Sequence, residues 1–260
     1  MGSVDKKVIQ KYWTQNVPGL DMVTKGLNPE QKEFYLDVDA YRYRFDSYIP
    51  GIIDSFAEKG KLILEIGCGM GTDSRYISKK GANIVSFDLS WDNVNFSLKG
   101  LSLMELKGKG VCGDGEKLPF KDNVFDVVYS FGVLHHTPDT QKAIDEAYRV
   151  LKPNGKAVIM LYHKGYAYYV LLFLHGYKRL FRIYNQDKLM SQYDHTPLSR
   201  MYSREELFKI FTKFNSINIS ITTYGGIQAH KFLKYIYVIL HKSRFLMRRF
   251  GSFAVIRGEK

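Results

Sequence analysis

The residues best suited to chemistry in this chain lie in Glu65-Ile66-Gly67-Cys68-Gly69-Met70-Gly71, an acid followed by three glycines at alternate positions. Glycine lets backbone approach a ligand where a Cβ would clash. A dinucleotide loop has the spacing G-x-G-x-x-G, and a P-loop carries Lys-Ser/Thr after its last glycine. Neither pattern holds here. The glycine spacing is tighter, and the loop runs into Thr72-Asp73, whose acid would repel phosphate. The pattern suits a ligand with no phosphate and a positive centre.

Three more clusters follow. Asp88 ends the apolar run Ile84-Val85-Ser86-Phe87, where a carboxylate can accept from both ribose hydroxyls. Asp114, in Cys112-Gly113-Asp114-Gly115-Glu116, can accept from an adenine amino group. His135-His136 and Tyr162-His163 end two later apolar runs. An oxygen or nitrogen nucleophile needs a base with a pKa near neutrality, which histidine supplies. One of His135, His136 or His163 is expected to touch substrate. A structural role, with one ring capping the next helix, stays open. S-adenosylmethionine, a sulfonium nucleoside, meets the requirements of the first three clusters.

These groups need elements to hold them. Apolar runs at 62–66, 82–88, 125–130 and 156–162, with a short one near Val111, read as strands of a parallel sheet. Helical patterns at 72–80 and 141–151 connect them. The candidate residues then fall at the strands' carboxyl ends, where open α/β sheets bind ligands. A helix over 202–214 carries Ser203 and Glu206 in capping-box spacing, and 216–223 and 252–257 read as two last strands.

Glu65 to Gly71, Asp88, Asp114 with Leu118-Pro119-Phe120, Phe125-Asp126-Val127-Val128 and Leu151-Lys152-Pro153-Asn154-Gly155 together resemble class I S-adenosylmethionine-dependent methyltransferases, in the branch called methyltransferase type 11. The resemblance covers about residues 60–162, with the landmarks in order. It implies an α/β, Rossmann-like, seven-stranded and mostly parallel sheet with helices on both faces and the last strand inserted antiparallel. It also implies site roles. Gly67, Gly69 and Gly71 line the methionine part, with Glu65 beneath. Asp88 holds the ribose, Leu89 packs on adenine, Asp114 and Gly115 meet the adenine edge, and Phe131 sits by the sulfonium. Tyr43 or Arg44 would reach the cofactor carboxylate from a leading lid; an alternative is that this helix simply packs on the sheet.

The 260 residues divide into a helical lid (1–60), a cofactor-binding core (61–163), a substrate-cover insertion (164–203) and a C-terminal part with the last two strands (204–260). Neither of the two cysteines belongs to a CxxC, so no zinc, other metal or disulfide framework is expected. The N-terminus lacks an apolar signal core, which makes a reducing cytoplasmic setting the default. The net charge is +12, and four cations in 164–182 and six in 231–249 supply ten of it. The second segment has a basic amphipathic pattern. Two readings stay open: a solvated basic face, or peripheral contact with an anionic membrane surface. Nucleic-acid contact ranks below both.

The loop after the fourth strand lacks Asn/Asp-Pro-Pro-Tyr/Phe, which excludes the pattern of exocyclic-amine methylation. With 19 Tyr and 17 Phe, the expected partner is a small aromatic or lipophilic acceptor, methylated on O, N, C or S, mainly by alignment with help from a histidine base. Two rivals remain, an RNA-modifying methyltransferase and a non-catalytic cofactor-binding subunit.

Overall fold

β1 (Leu62–Ile66), β2 (Asn83–Asp88), β3 (Gly108–Cys112), β4 (Phe125–Phe131) and β5 (Leu151–Tyr162) pair in parallel. Four apolar segments, β1, β2, β4 and β5, lie side by side because both their faces are covered, and the largely exposed β3 closes the edge. β6 (Asn215–Thr222) and β7 (Phe253–Glu259) complete the sheet in the order β3-β2-β1-β4-β5-β7-β6. β7 runs antiparallel to both β5 and β6, which is the inserted antiparallel strand expected. This is a computed structural model, and it describes residues 4–20, 26–165, 191, 195–222 and 251–260.

Side chains alternate across the sheet with period two. Leu64, Val128 and Ile159 face one layer with Ile144, Ala147 and Leu207. Their neighbours Ile63, Val127 and Val158 face the other with Ile53, Ile77 and Leu101. The first layer comes from α6 (Thr140–Val150) and α7 (Arg204–Ile210), the second from α3 (Ile49–Asp54), α4 (Thr72–Lys79) and α5 (Trp91–Leu103). α1 (Lys6–Gln15) and α2 (Lys32–Phe45) precede them. The capping box at Ser203 forms as its spacing predicts, with both of its bonds present.

One strand boundary moved. β5 begins at Leu151, because Phe125 pairs with Leu151 before the register jumps to Val127 and Lys156. Lys152 to Gly155 are the looped-out turn within that jump, with Asn154 at φ 62°. The basic amphipathic segments at 166–182 and 231–249 lie outside the described residues. Among the described residues, no helix is long and apolar enough to cross a membrane.

The strand order reverses between β2-β1 and β1-β4. At such a switch point the connections leave in opposite directions and open a crevice at the carboxyl ends.

Candidate functional site

A cavity of about 790 Å³ occupies that crevice, inside the range of about 300–1,000 Å³ usual for small-molecule sites. Its floor is the loops after β1 to β4. Its roof is α1, through Lys6, Ile9, Tyr12 and Trp13.

Gly67, Gly69 and Gly71 have φ of 82°, 49° and 75°, backbone that favours glycine. The three nevertheless differ. A Cβ on Gly67 would stand 2.2 Å from Val133, and one on Gly71 2.4 Å from Ser97, so packing requires both to be bare. A Cβ on Gly69 would meet nothing within 4 Å. Gly67 and Gly69 line the cavity. Gly71 does not, and the role expected for it is corrected: it starts α4 and lets α5 approach.

Asp88 is buried and braces two strand ends. One oxygen accepts from the Gly69 amide at 3.0 Å, the other from the Ser90 amide at 3.0 Å and Asn93 Nδ2 at 3.1 Å. Burial raises its pKa, opposed by those hydrogen bonds. Asn93 lines the cavity, and its Oδ1 is buried without a partner. An orphaned acceptor of this kind is costly unless a donor arrives. A hydroxyl pair beside Asp88 would be such a donor. Glu65, Leu89, Asp114, Gly115 and Phe131 also line the cavity. Glu65 is buried and accepts from the Ser74 hydroxyl. Burial, then the nearby Asp73, push its pKa well up. These features fit a nucleoside with an amine and a positive centre.

Arg44 is a second correction. It is exposed and stacks on Tyr41 and Phe45, away from the cavity. Two residues turn an α-helix by about 200°, so Arg42 takes the inner face. Arg42 lines the cavity, pairs with Asp46 at 3.3 Å and Asp73 at 3.6 Å, and lies over the Phe131 ring at 5.5 Å. Asp73 also accepts from Tyr129 at 2.8 Å and Tyr43 at 3.0 Å. Beneath, the fully buried Arg75 bonds Asp39 of α2 and the Met70 carbonyl, tying the lid to the glycine loop.

Rings build the other end. Tyr162 stacks on Phe253 at 5.5 Å, and Trp13 lies 5.0 Å from His136. Of the three candidate histidines, His136 lines the cavity. Its Nδ1 stands 2.6 Å from the Leu198 carbonyl, which can only accept. Nδ1 therefore carries a hydrogen. His135 is corrected to a packing residue. It is wholly buried against Tyr162 at 3.7 Å, and neither ring nitrogen has a partner. Burial and the adjacent His136 hold its pKa well below the usual value. His163 is corrected likewise: it is buried off the cavity, with Nδ1 2.8 Å from the Gly251 carbonyl, and burial lowers its pKa.

Sequence reading missed Arg42, Asn93, Lys6 and Trp13. Asn93 carried a usable signal, since it sits in the first turn of the helix after Asp88.

Residues 64–159 match a family model described as a methyltransferase domain. Those residues form a methyltransferase domain of the class I, S-adenosylmethionine-dependent kind. Phosphoethanolamine N-methyltransferase 2 of Caenorhabditis elegans is 34% identical over 142 residues, 50% of this chain and 32% of that protein. Demethylmenaquinone methyltransferase of Streptomyces avermitilis is 38% identical over 104 residues, 40% of this chain and 43% of that protein. The methyltransferase domain thus spans less than half the length of either relative. The Haemonchus contortus phosphoethanolamine N-methyltransferase 2 in complex with S-adenosyl-L-methionine shares the fold, with a TM-score of 0.57 at 19% identity over 81% of this chain and 51% of that one.

Proposed function

We propose that this protein transfers a methyl group from S-adenosylmethionine to a small aromatic or lipophilic acceptor. The orphaned Oδ1 of Asn93 beside Asp88, under a bare Gly69, carries the cofactor half of this reading. Asp88 and Asn93 would take the ribose hydroxyls, and Asp114 the adenine amino group. Arg42 would face the carboxylate of the amino-acid part, a pairing guanidinium makes with two prongs. When bound, the cofactor supplies a methyl group on a sulfonium, a carbon already activated for displacement.

The chain's own contribution is alignment. Holding nucleophile and methyl in line supplies much of the acceleration in such reactions. Phe131, Tyr162, Phe253 and Trp13 shape the acceptor end and exclude water. His136, the candidate histidine that lines the cavity, is the group suited to take a proton from an oxygen or nitrogen acceptor. Tyr162 lies against the same acceptor.

The test compares metabolites of cells with and without the gene, scanning for a methyl-sized mass difference. A compound that gains one methyl only where Asp88 is intact supports the reading. Identical profiles, with purified protein that binds S-adenosylmethionine but turns over no lysate compound, would make it a non-catalytic subunit.

A further inference from the structure

One buried carboxylate outside the ligand-facing set joins three parts of the site. Glu116 is 5% exposed. One of its oxygens accepts from the Asp139 amide at 2.7 Å and from the Thr137 hydroxyl. The other pairs with Lys6 Nζ at 2.5 Å. Lys6 also pairs with Asp114, the acid at the adenine edge. So a single side chain touches the loop that follows His136 and the first turn of the roof helix, and through Lys6 it reaches the adenine acid.

α1 has further anchors on the same side. Gln10 Nε2 donates to the Leu89 carbonyl at 2.9 Å, and Thr14 meets Ser90 at 2.9 Å. At its far end Trp13 rests on His136. From Lys6 to Trp13 an α-helix rises about 10 Å, enough to span from the adenine end to the acceptor end.

We propose that Glu116 is a positioning residue that binds the adenine loop, the histidine loop and the roof helix into one unit, so that filling the adenine end is felt at the acceptor end through Lys6 and α1. This rests on the cofactor reading above. An adenine amino group at Asp114 draws on the carboxylate that Lys6 holds. Lys6 then leans on Glu116, and α1 with Trp13 settles against the acceptor wall. Asp139 caps α6, so the histidine loop is held from both sides.

Trp13 gives the readout. The chain has two tryptophans, and Trp91 is 53% exposed at the start of α5. In a Trp91→Phe background, Trp13 reports the roof alone. Glu116→Gln keeps an oxygen for Thr137 and Asp139 but loses the charge that Lys6 needs. Lys6→Met keeps the stem and loses the ammonium. Both variants should expose Trp13 to acrylamide and lose the emission change that S-adenosylhomocysteine causes, while calorimetry still shows that ligand binding. The double variant should add nothing to either single one, as expected for two members of one pair. Glu116→Ala should also loosen the histidine loop, and Glu116→Gln should rescue that part.

If S-adenosylhomocysteine binds and the emission response survives unchanged in both variants, the role of Glu116 is overturned. If the parent protein gives no heat with S-adenosylhomocysteine, the cofactor reading itself has failed.

Discussion

The two ends of the cavity are built by different means. At the glycine end the cavity wall includes the bare backbone of Gly67 and Gly69, both at positive φ and braced by Asp88 from the next strand. At the histidine end it is rings, brought from α1, the turn after β4, β5 and β7, with centroids 5.0 to 5.5 Å apart. A backbone surface has no side chain to vary without blocking it. A surface of rings from four separate segments can be altered one ring at a time. In the proposed reading the glycine end holds the cofactor and the histidine end takes the acceptor.

That contrast can be broken most sharply within the glycine loop. Gly71→Ala puts a Cβ 2.6 Å from the Ser97 backbone at a positive φ and should cost about 2–5 kcal/mol of fold stability. Gly69→Ala meets no neighbour, so it should cost only about 1–2 kcal/mol while excluding the ligand. Thermal unfolding alongside S-adenosylhomocysteine titration separates the two. Equal effects on folding and binding at both sites would deny the distinction.

Asp88→Ala removes the brace and should weaken cofactor binding by about 10- to 100-fold, the loss of one or two charge-assisted hydrogen bonds. Arg42→Met should weaken it by about tenfold, whereas Arg44→Met should stay within about 0.5 kcal/mol of the parent. The reverse order would return the inner role to Arg44.

The smallest effect belongs to the histidine end. His135 has a lowered pKa when folded, so the unfolded chain takes up a proton first as pH falls below about 6.5. Stability due to this group is thus full above that pH and falls by up to about 1.4 kcal/mol per pH unit below it. Replacing a buried imidazole with two unpaired nitrogens by Phe should leave cofactor binding intact, gain about 1 kcal/mol at pH 7.5, and gain more at pH 5.5. Denaturant midpoints at the two pH values check this. A loss of turnover with unchanged stability would make His135 a substrate-touching group after all.

Much of the fold and the glycine end was legible because each signal was local. An apolar run, a glycine spacing and an acid at the next strand end are all contiguous or nearly so. Tyr43 or Arg44 was expected at the cavity and Arg42 is found there, because the helix phase of α2 depends on what it packs against and its pattern has no sharp apolar face. His135, His136 and His163 could not be separated, since burial is decided by β7 and the segment near Leu198, far along the chain. Glu116 was invisible as a hub because two of its partners, Lys6 and Asp139, lie 110 and 23 positions away.

The most direct test of the central claim is calorimetric titration of the purified protein with S-adenosylhomocysteine. The structure predicts saturable heat at one ligand per chain, lost in Gly69→Ala while that variant still unfolds cooperatively. No heat from the parent protein, or undiminished heat from Gly69→Ala, would contradict it.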